Sequence, residues 1–204
     1  MSDTIIRSVE QLEGLYGEVY ATAWAKEIDH LNADYRALIE ASPFVLVASV
    51  GPEGLDCSPR GDPPGFVAIE DDRTLLLPDR LGNNRADTLT NIIRDPRVAL
   101  LFLIPGVGET LRVSGKAEID TAPALLERFA MNGKNPRSVV RIKIDSVYFQ
   151  CQKALARSGL WDPSRHVARG VLPTAGDMIG GLVEGFDSKK YDADYPERMK
   201  RTIY

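Results

Sequence analysis

The feature that most constrains this chain is a stretch of strict alternation at residues 111–119. Leu111, Val113, Ala117 and Ile119 are interleaved with Arg112, Ser114, Lys116 and Glu118. A period of two puts one set on each face of a strand, so one face is buried and the other meets water. Such a strand needs partners, and the chain supplies them. Residues 44–50 (FVLVASV) are apolar and β-branched, GPEG follows as a turn, and LDCSPR reads as the returning strand. Residues 66–70 and 74–77 pair across an Asp71-Asp72-Arg73 turn, 98–104 (VALLFLI) reads as a fully buried strand, and 139–149 as a further one. Between 61 and 65, Gly-Asp-Pro-Pro-Gly is irregular, because proline lacks the donor a central strand requires. About six strands joined by hairpin turns predict an α+β fold built on an antiparallel barrel, in one domain spanning residues 1–204.

Helical period appears before and between the strands. Ser8 and Gln11 form a capping-box pattern. Residues 18–40 predict a second helix with Trp24, Ile28, Leu31, Tyr35 and Leu38 inward, stopped by Pro43. Leu89, Ile92 and Ile93 mark one face of a short helix ended by Asp95-Pro96. Another helix carries Pro123 in its first turn, with Leu125, Leu126 and Phe129 inward and Gly133 beyond its end. Residues 1–42 therefore read as a helical N-terminal extension, and 151–204 as a short helix followed by a Pro/Gly-punctuated tail without strong period.

Charge excludes some functions. Twenty-five Lys and Arg against 29 Asp and Glu give a net charge of −4, the wrong sign for a protein whose partner is a nucleic-acid backbone. Two cysteines, Cys57 and Cys151, make no disulfide framework, and no CxxC or HxxxH spacing predicts a metal. No apolar run is long enough to span a bilayer, and the acidic N-terminus lacks the layout of a signal peptide, so a cytoplasmic protein is expected. The charge is uneven: through Ser42 there are eight acidic and three basic residues, whereas residues 137–169 hold seven basic and two acidic.

Catalytic templates do not match: there is no Walker loop, and Gly106-Val-Gly108 lacks the third glycine of a dinucleotide fingerprint. His30 reads as a solvated or structural residue, His166 lies in a basic tail, and nothing marks Cys151 as reactive. Two features point to an anion. Arg80-Leu-Gly-Asn-Asn-Arg85 runs into a helix, combining free backbone donors, the helix dipole and a guanidinium fork, although Asn83 or Asn84 could equally be a plain N-cap. Arg60 ends an apolar strand just before the Gly-Asp-Pro-Pro-Gly kink, with a surface ion pair as the competing reading. Trp161 could be a flat wall for an aromatic ligand or a core residue.

These pieces, in this order, resemble the FMN-binding split β-barrel proteins related to pyridoxamine 5′-phosphate oxidase. DPRVALLF (from Asp95) is similar to the family's strand after its short helix, SGKAE (from Ser114) to the next strand, and RLGNNR (from Arg80) to its phosphate loop. VYFQCQKALARSGLWDP is similar to the C-terminal signature of a group of bacterial flavoproteins. The resemblance implies FMN as cofactor and a homodimer with FMN at the subunit interface. It implies that Arg60, Asn83, Asn84 and Arg85 hold the phosphate. Pro78 and Asp79 would flank the ring or ribityl chain, with Gly61 and Asp62 along the flavin edge. Thr110 would come from the partner subunit, and Trp161 would stand near the ring. Asp162-Pro-Ser-Arg165-His166 departs from the Arg-x-His-Asp-Arg clamp of the vitamin B6 enzymes, and the lysine expected after the strand arginine is absent. An FMN-dependent oxidoreductase of unidentified small-molecule substrate and unassigned catalytic residue is the expectation. A non-catalytic flavin or haem carrier, and an F420-dependent reductase, are the alternatives on the same fold.

Overall fold

The computed structural model describes residues 4–82 and 84–204. Three helices open the chain: α1 (Val9–Tyr16), α2 (Ala21–Ala25) and α3 (Ala33–Ala41). Four strands follow, β1 (Phe44–Gly51), β2 (Gly54–Gly61), β3 (Ala68–Ile69) and β4 (Thr74–Asp79). After α4 (Asp87–Arg94) come β5 (Arg97–Leu103), β6 (Thr110–Asp120), α5 (Pro123–Arg128) and β7 (Ser138–Gln150). Helices α6 (Lys153–Ser158), α7 (Ala175–Gly180) and α8 (Ser188–Thr202) complete it, with two 3₁₀ turns between the first two of these.

The strands form one seven-stranded sheet in the order β2-β1-β5-β6-β7-β4-β3. Every pairing is antiparallel and the two edges are not hydrogen-bonded to each other, as in a split barrel. The inward faces of β1, β4, β5, β6 and β7 share one core with Leu31, Tyr35 and Ile39 from α3 and its approach. Each fully buried aliphatic side chain there, such as Ile39, Val45, Leu100 or Ile142, contributes roughly 1.5–3 kcal/mol. The alternation of β6 appears as expected: Leu111, Val113 and Ala117 are buried, and Arg112, Lys116 and Glu118 exposed. A register shift with β7 falls at Ser114/Gly115, where an added Cβ would collide with the Lys143 carbonyl. Only glycine permits that approach.

The single helix expected over 18–40 is not formed. Residues between α2 and α3 are drawn out instead, because Ile28 exchanges both backbone hydrogen bonds with Val147 of β7 (3.1 and 2.8 Å) and the Leu31 N–H donates to the Asp72 carbonyl (2.7 Å). Asn32 then restarts the helix by accepting from the Tyr35 N–H at 2.8 Å. Trp24 is consequently not a core residue; it is 65% exposed. Ile93 also points outward, at 77% exposure, whereas Ile92 of the same helix is buried. Ser8 caps α1 as expected, but the Gln11 side chain accepts from the Arg7 N–H rather than from that of Ser8. The tail holds more helix than its period suggests: α8 has 15 residues, and Pro196 inside it together with a lack of buried side chains conceals its pattern. Among the described residues, no helix is long and apolar enough to cross a membrane.

Candidate functional site

Antiparallel pairing carries the ends of two distant strands to one place. In β2, Arg60 pairs with Val45 and Gly61 with Phe44, whereas in β4, Pro78 pairs with Val139 and Asp79 with Ser138. β4 ends at Asp79 and α4 begins at Asp87. That helix is anchored over β1 by a buried hydrogen bond from Asn91 Nδ2 to Ser49 Oγ (3.1 Å), where Gly51 leaves room for the Asn91 amide. A second anchor joins it to β2: Thr88 and Ser58 both donate to Asp56 Oδ2, at 3.2 and 3.1 Å. Between these parts lies a cleft of about 700 Å³. That is within the usual size range of cofactor sites.

The cleft is lined by four arginines: Arg60 from β2, Arg80 and Arg85 from the α4 approach, and Arg137 before β7. Asp56, Asp79 and Asp87 also line it. Arg80 is neutralised from behind by Asp62, which accepts from its Nε at 2.7 Å. Arg85 reaches Asp87 at 2.8 Å and remains largely exposed. Arg60 donates to the Pro59 carbonyl at 2.9 Å. Arg137 donates to Asn84 Oδ1 at 2.7 Å, tying the start of β7 to the α4 approach. Burial pushes the Asp79 carboxyl above its ordinary pKa, against the opposing pull of Arg60 and Arg137. Phe66, Pro78, Leu81 and Leu89 give the cleft apolar wall.

Asn84 is not the helix cap. Ala86 is, in the left-handed region at φ 56° and without a side-chain cap bond; Asn84 is also left-handed, at φ 64°. Those two residues turn the chain sharply and leave the first-turn N–H groups of α4 without a side-chain acceptor from the cap, the arrangement that favours an anion. Asn83 lies outside the described residues. Arg60, Gly61, Pro78, Asp79, Asn84 and Arg85 all line the cleft. Asp62 does not: its carboxylate is turned to Arg80 and to the Tyr204 hydroxyl. Thr110 and Trp161 are also outside it. Trp161 donates from Nε1 to the Val107 carbonyl at 2.8 Å, so it packs on the β5–β6 connection from which Thr110 begins β6. His30 pairs with the neighbouring Asp29 at 2.9 Å, and both cysteines are exposed. Among the described residues, no group of three or more His, Cys, Asp or Glu side chains could hold a metal ion.

Sequence reasoning missed Arg137 and Ser138 as lining residues. Arg137 stood in a basic stretch with no motif around it, and only the pairing of Ser138 with Asp79 brings it to the cleft.

The fold is thus an open antiparallel barrel with an arginine-lined cleft between β2 and the end of β4. The family model for pyridoxamine 5′-phosphate oxidase matches residues 31–151, more than half of the chain, and the chain belongs to that family. No curated protein matches it. Solved structures similar to it include HupZ of Group A Streptococcus, at 20% identity over 57% of this chain and 91% of that one (TM-score 0.47). General Stress Protein 26 of Bacillus anthracis is 17% identical over 56% and 88% (TM-score 0.44), and an F420 reductase 22% over 59% and 98% (TM-score 0.42).

Proposed function

We propose that the chain is an FMN-binding oxidoreductase acting on a small molecule, and that it works as a homodimer. The observation that carries this reading is the cleft itself, where Arg60, Arg85 and Arg137 converge on the uncapped start of α4. A phosphate dianion suits fork-shaped cationic donors beside a helix start whose cap makes no side-chain bond, and both occur here. The apolar patch formed by Phe66, Pro78, Leu81 and Leu89 suits a flat ring at the other end of the ligand. Haem is less well served, since the described lining residues include no His, Cys, Met or Tyr to act as an axial ligand.

In this reading Arg60, Asn84 and Arg85, with Arg137 added, hold and orient the phosphate, and Pro78 and Asp79 border the ring or ribityl chain. When bound, FMN would supply hydride or electron transfer. The protein's part is orientation and exclusion of water. Thr110 and Trp161, away from the cleft of their own chain, are assigned to the site of the second copy.

Purified protein is expected to be yellow and to release FMN on denaturation, identified by mass spectrometry of the released small molecules. Release of F420 or haem instead would replace the cofactor, and a colourless protein that takes up no added FMN would refute the proposal. Arg60→Ala and Arg85→Ala should each weaken FMN binding by about 1–3 kcal/mol, through loss of charge-assisted hydrogen bonds. Unchanged affinity in both variants would remove the phosphate assignment. Reduction of bound flavin by NAD(P)H followed by reoxidation would identify an enzyme; a retained but inert cofactor would identify a carrier.

A further inference from the structure

The chain beyond α8 returns to the base of the anion-binding segment. Tyr204 Oη donates to Asp62 Oδ1 at 2.6 Å, and the other oxygen of the same carboxylate accepts from Arg80 Nε at 2.7 Å. Arg80 also donates from Nη1 to the Phe129 carbonyl at 2.6 Å, and its guanidinium lies 5.8 Å from the centre of the Tyr204 ring. Lys134 Nζ holds the Tyr204 carbonyl at 2.6 Å. The segment after β2, the end of β4, the residues after α5 and those after α8 therefore meet at one ion pair. Their sequence separation is large, with Asp62 and Tyr204 lying 142 residues apart.

The Asp62 side chain is only 2% exposed. A carboxylate so buried needs both oxygens satisfied, and Arg80 through Nε satisfies one. Tyr204 supplies the second. Hydrogen bonding to Asp62, with burial adding to it, also raises the pKa of the Tyr204 phenol, so the hydroxyl stays a donor through neutral pH. Without that donor, Arg80, already bonded to the other oxygen of the carboxylate, can turn towards the vacated one. Arg80 opens the segment that carries Asn84 and Arg85, so its rotation would displace the groups lining the cleft.

We propose that Tyr204 is a positioning residue for the anion-binding segment: through Asp62 it holds Arg80, and hence Asn84 and Arg85, in the arrangement that receives a phosphate-bearing ligand. The strap that delivers Tyr204 is lightly held. No residue of α8 is buried, and cavities of about 170 and 440 Å³ flank Tyr204 instead of packed core. The local contacts of Tyr204 itself thus carry much of the docking, and its docked state tunes the cleft.

The flavin arm of the test rests on the cleft being an FMN site; the exchange arm does not. Tyr204→Phe is compared with wild type and with Tyr195→Phe, a change on the same helix outside the tether. Affinities for FMN and for riboflavin, which lacks the phosphate, are measured together with amide hydrogen exchange. Tyr204→Phe should lose FMN affinity about five- to tenfold, hold riboflavin within about twofold, and speed exchange in residues 80–86 selectively, whereas Tyr195→Phe should do none of these. Equal losses for both flavins, or exchange accelerated evenly across the sheet, would mark a merely structural tyrosine and overturn the proposal, as would wild-type behaviour. If wild-type protein binds neither flavin, the FMN reading fails by itself. The tether then stands or falls on whether exchange in residues 80–86 rises selectively.

Discussion

Asp79 shows how single groups in the cleft are balanced. It sits at the end of β4 between Arg60 and Arg137, yet burial outweighs both and raises its pKa above the ordinary 3.8. A carboxyl harder to ionise in the folded chain than in the unfolded one opposes folding above its folded pKa. That opposition fades as pH falls towards the unfolded value. Asp79→Asn should therefore raise the thermal midpoint at pH 7 by about 1–3 °C, with the difference from wild type narrowing as pH approaches 4. It should also tighten inorganic phosphate or FMN binding a few-fold, by removing a negative charge from among the arginines. A lower midpoint at pH 7, measured by calorimetry, would mean that the arginine pairs dominate instead. Several cleft residues were legible as residue types at this scale. Arg60 and Arg85 announced themselves by their positions at the end of a strand and before a helix, whereas Arg137 had no such context. Asp62 was legible as a charged residue beside the kink, but which way its carboxylate turns depends on Arg80 and Tyr204.

At the scale of elements, β6 and β7 decide the geometry. Their register shifts at Ser114/Gly115, and the glycine lies against the Lys143 backbone with no room for a side chain. Gly115→Ala forces two central strands apart and should destabilise the fold by about 2–4 kcal/mol, or prevent its recovery in soluble form. A urea midpoint within error of wild type would show that the sheet relaxes around the methyl group. β6 was readable from its alternation because one face is dry and one wet. The break between α2 and α3 was not, because the 18–40 period is helical throughout. What interrupts it is a pair of backbone hydrogen bonds to Val147, far along the chain. A tertiary partner there outcompetes local propensity. α8 failed for the opposite reason: a largely solvent-exposed helix has no apolar stripe to advertise it.

For the whole molecule, the assembly is the point to test. Exposed apolar side chains gather in two stretches, one near the N-terminus that includes Val9, Leu15, Tyr16, Tyr20 and Trp24 and one after residue 160 that includes Val171 and Leu182, and no residue of α1 or α2 is buried. Such a surface accords with the proposed homodimer. Light scattering should give twice the chain mass at micromolar concentration, and a monomer would return Thr110 and Trp161 to roles within their own chain. Local pattern by itself determined that the chain is an antiparallel α+β domain, that residues 80–85 approach a helix as a candidate anion loop, and that Arg60 ends a strand. Those features follow from side-chain period and backbone chemistry over a few residues. Only the tertiary structure decided that β2, β4 and the start of β7 meet in one cleft, that Arg137 joins it, and that Asp62 turns away to meet Tyr204. Sheet order and register set those meetings, and both are properties of contacts between residues too distant in sequence for any local pattern to encode.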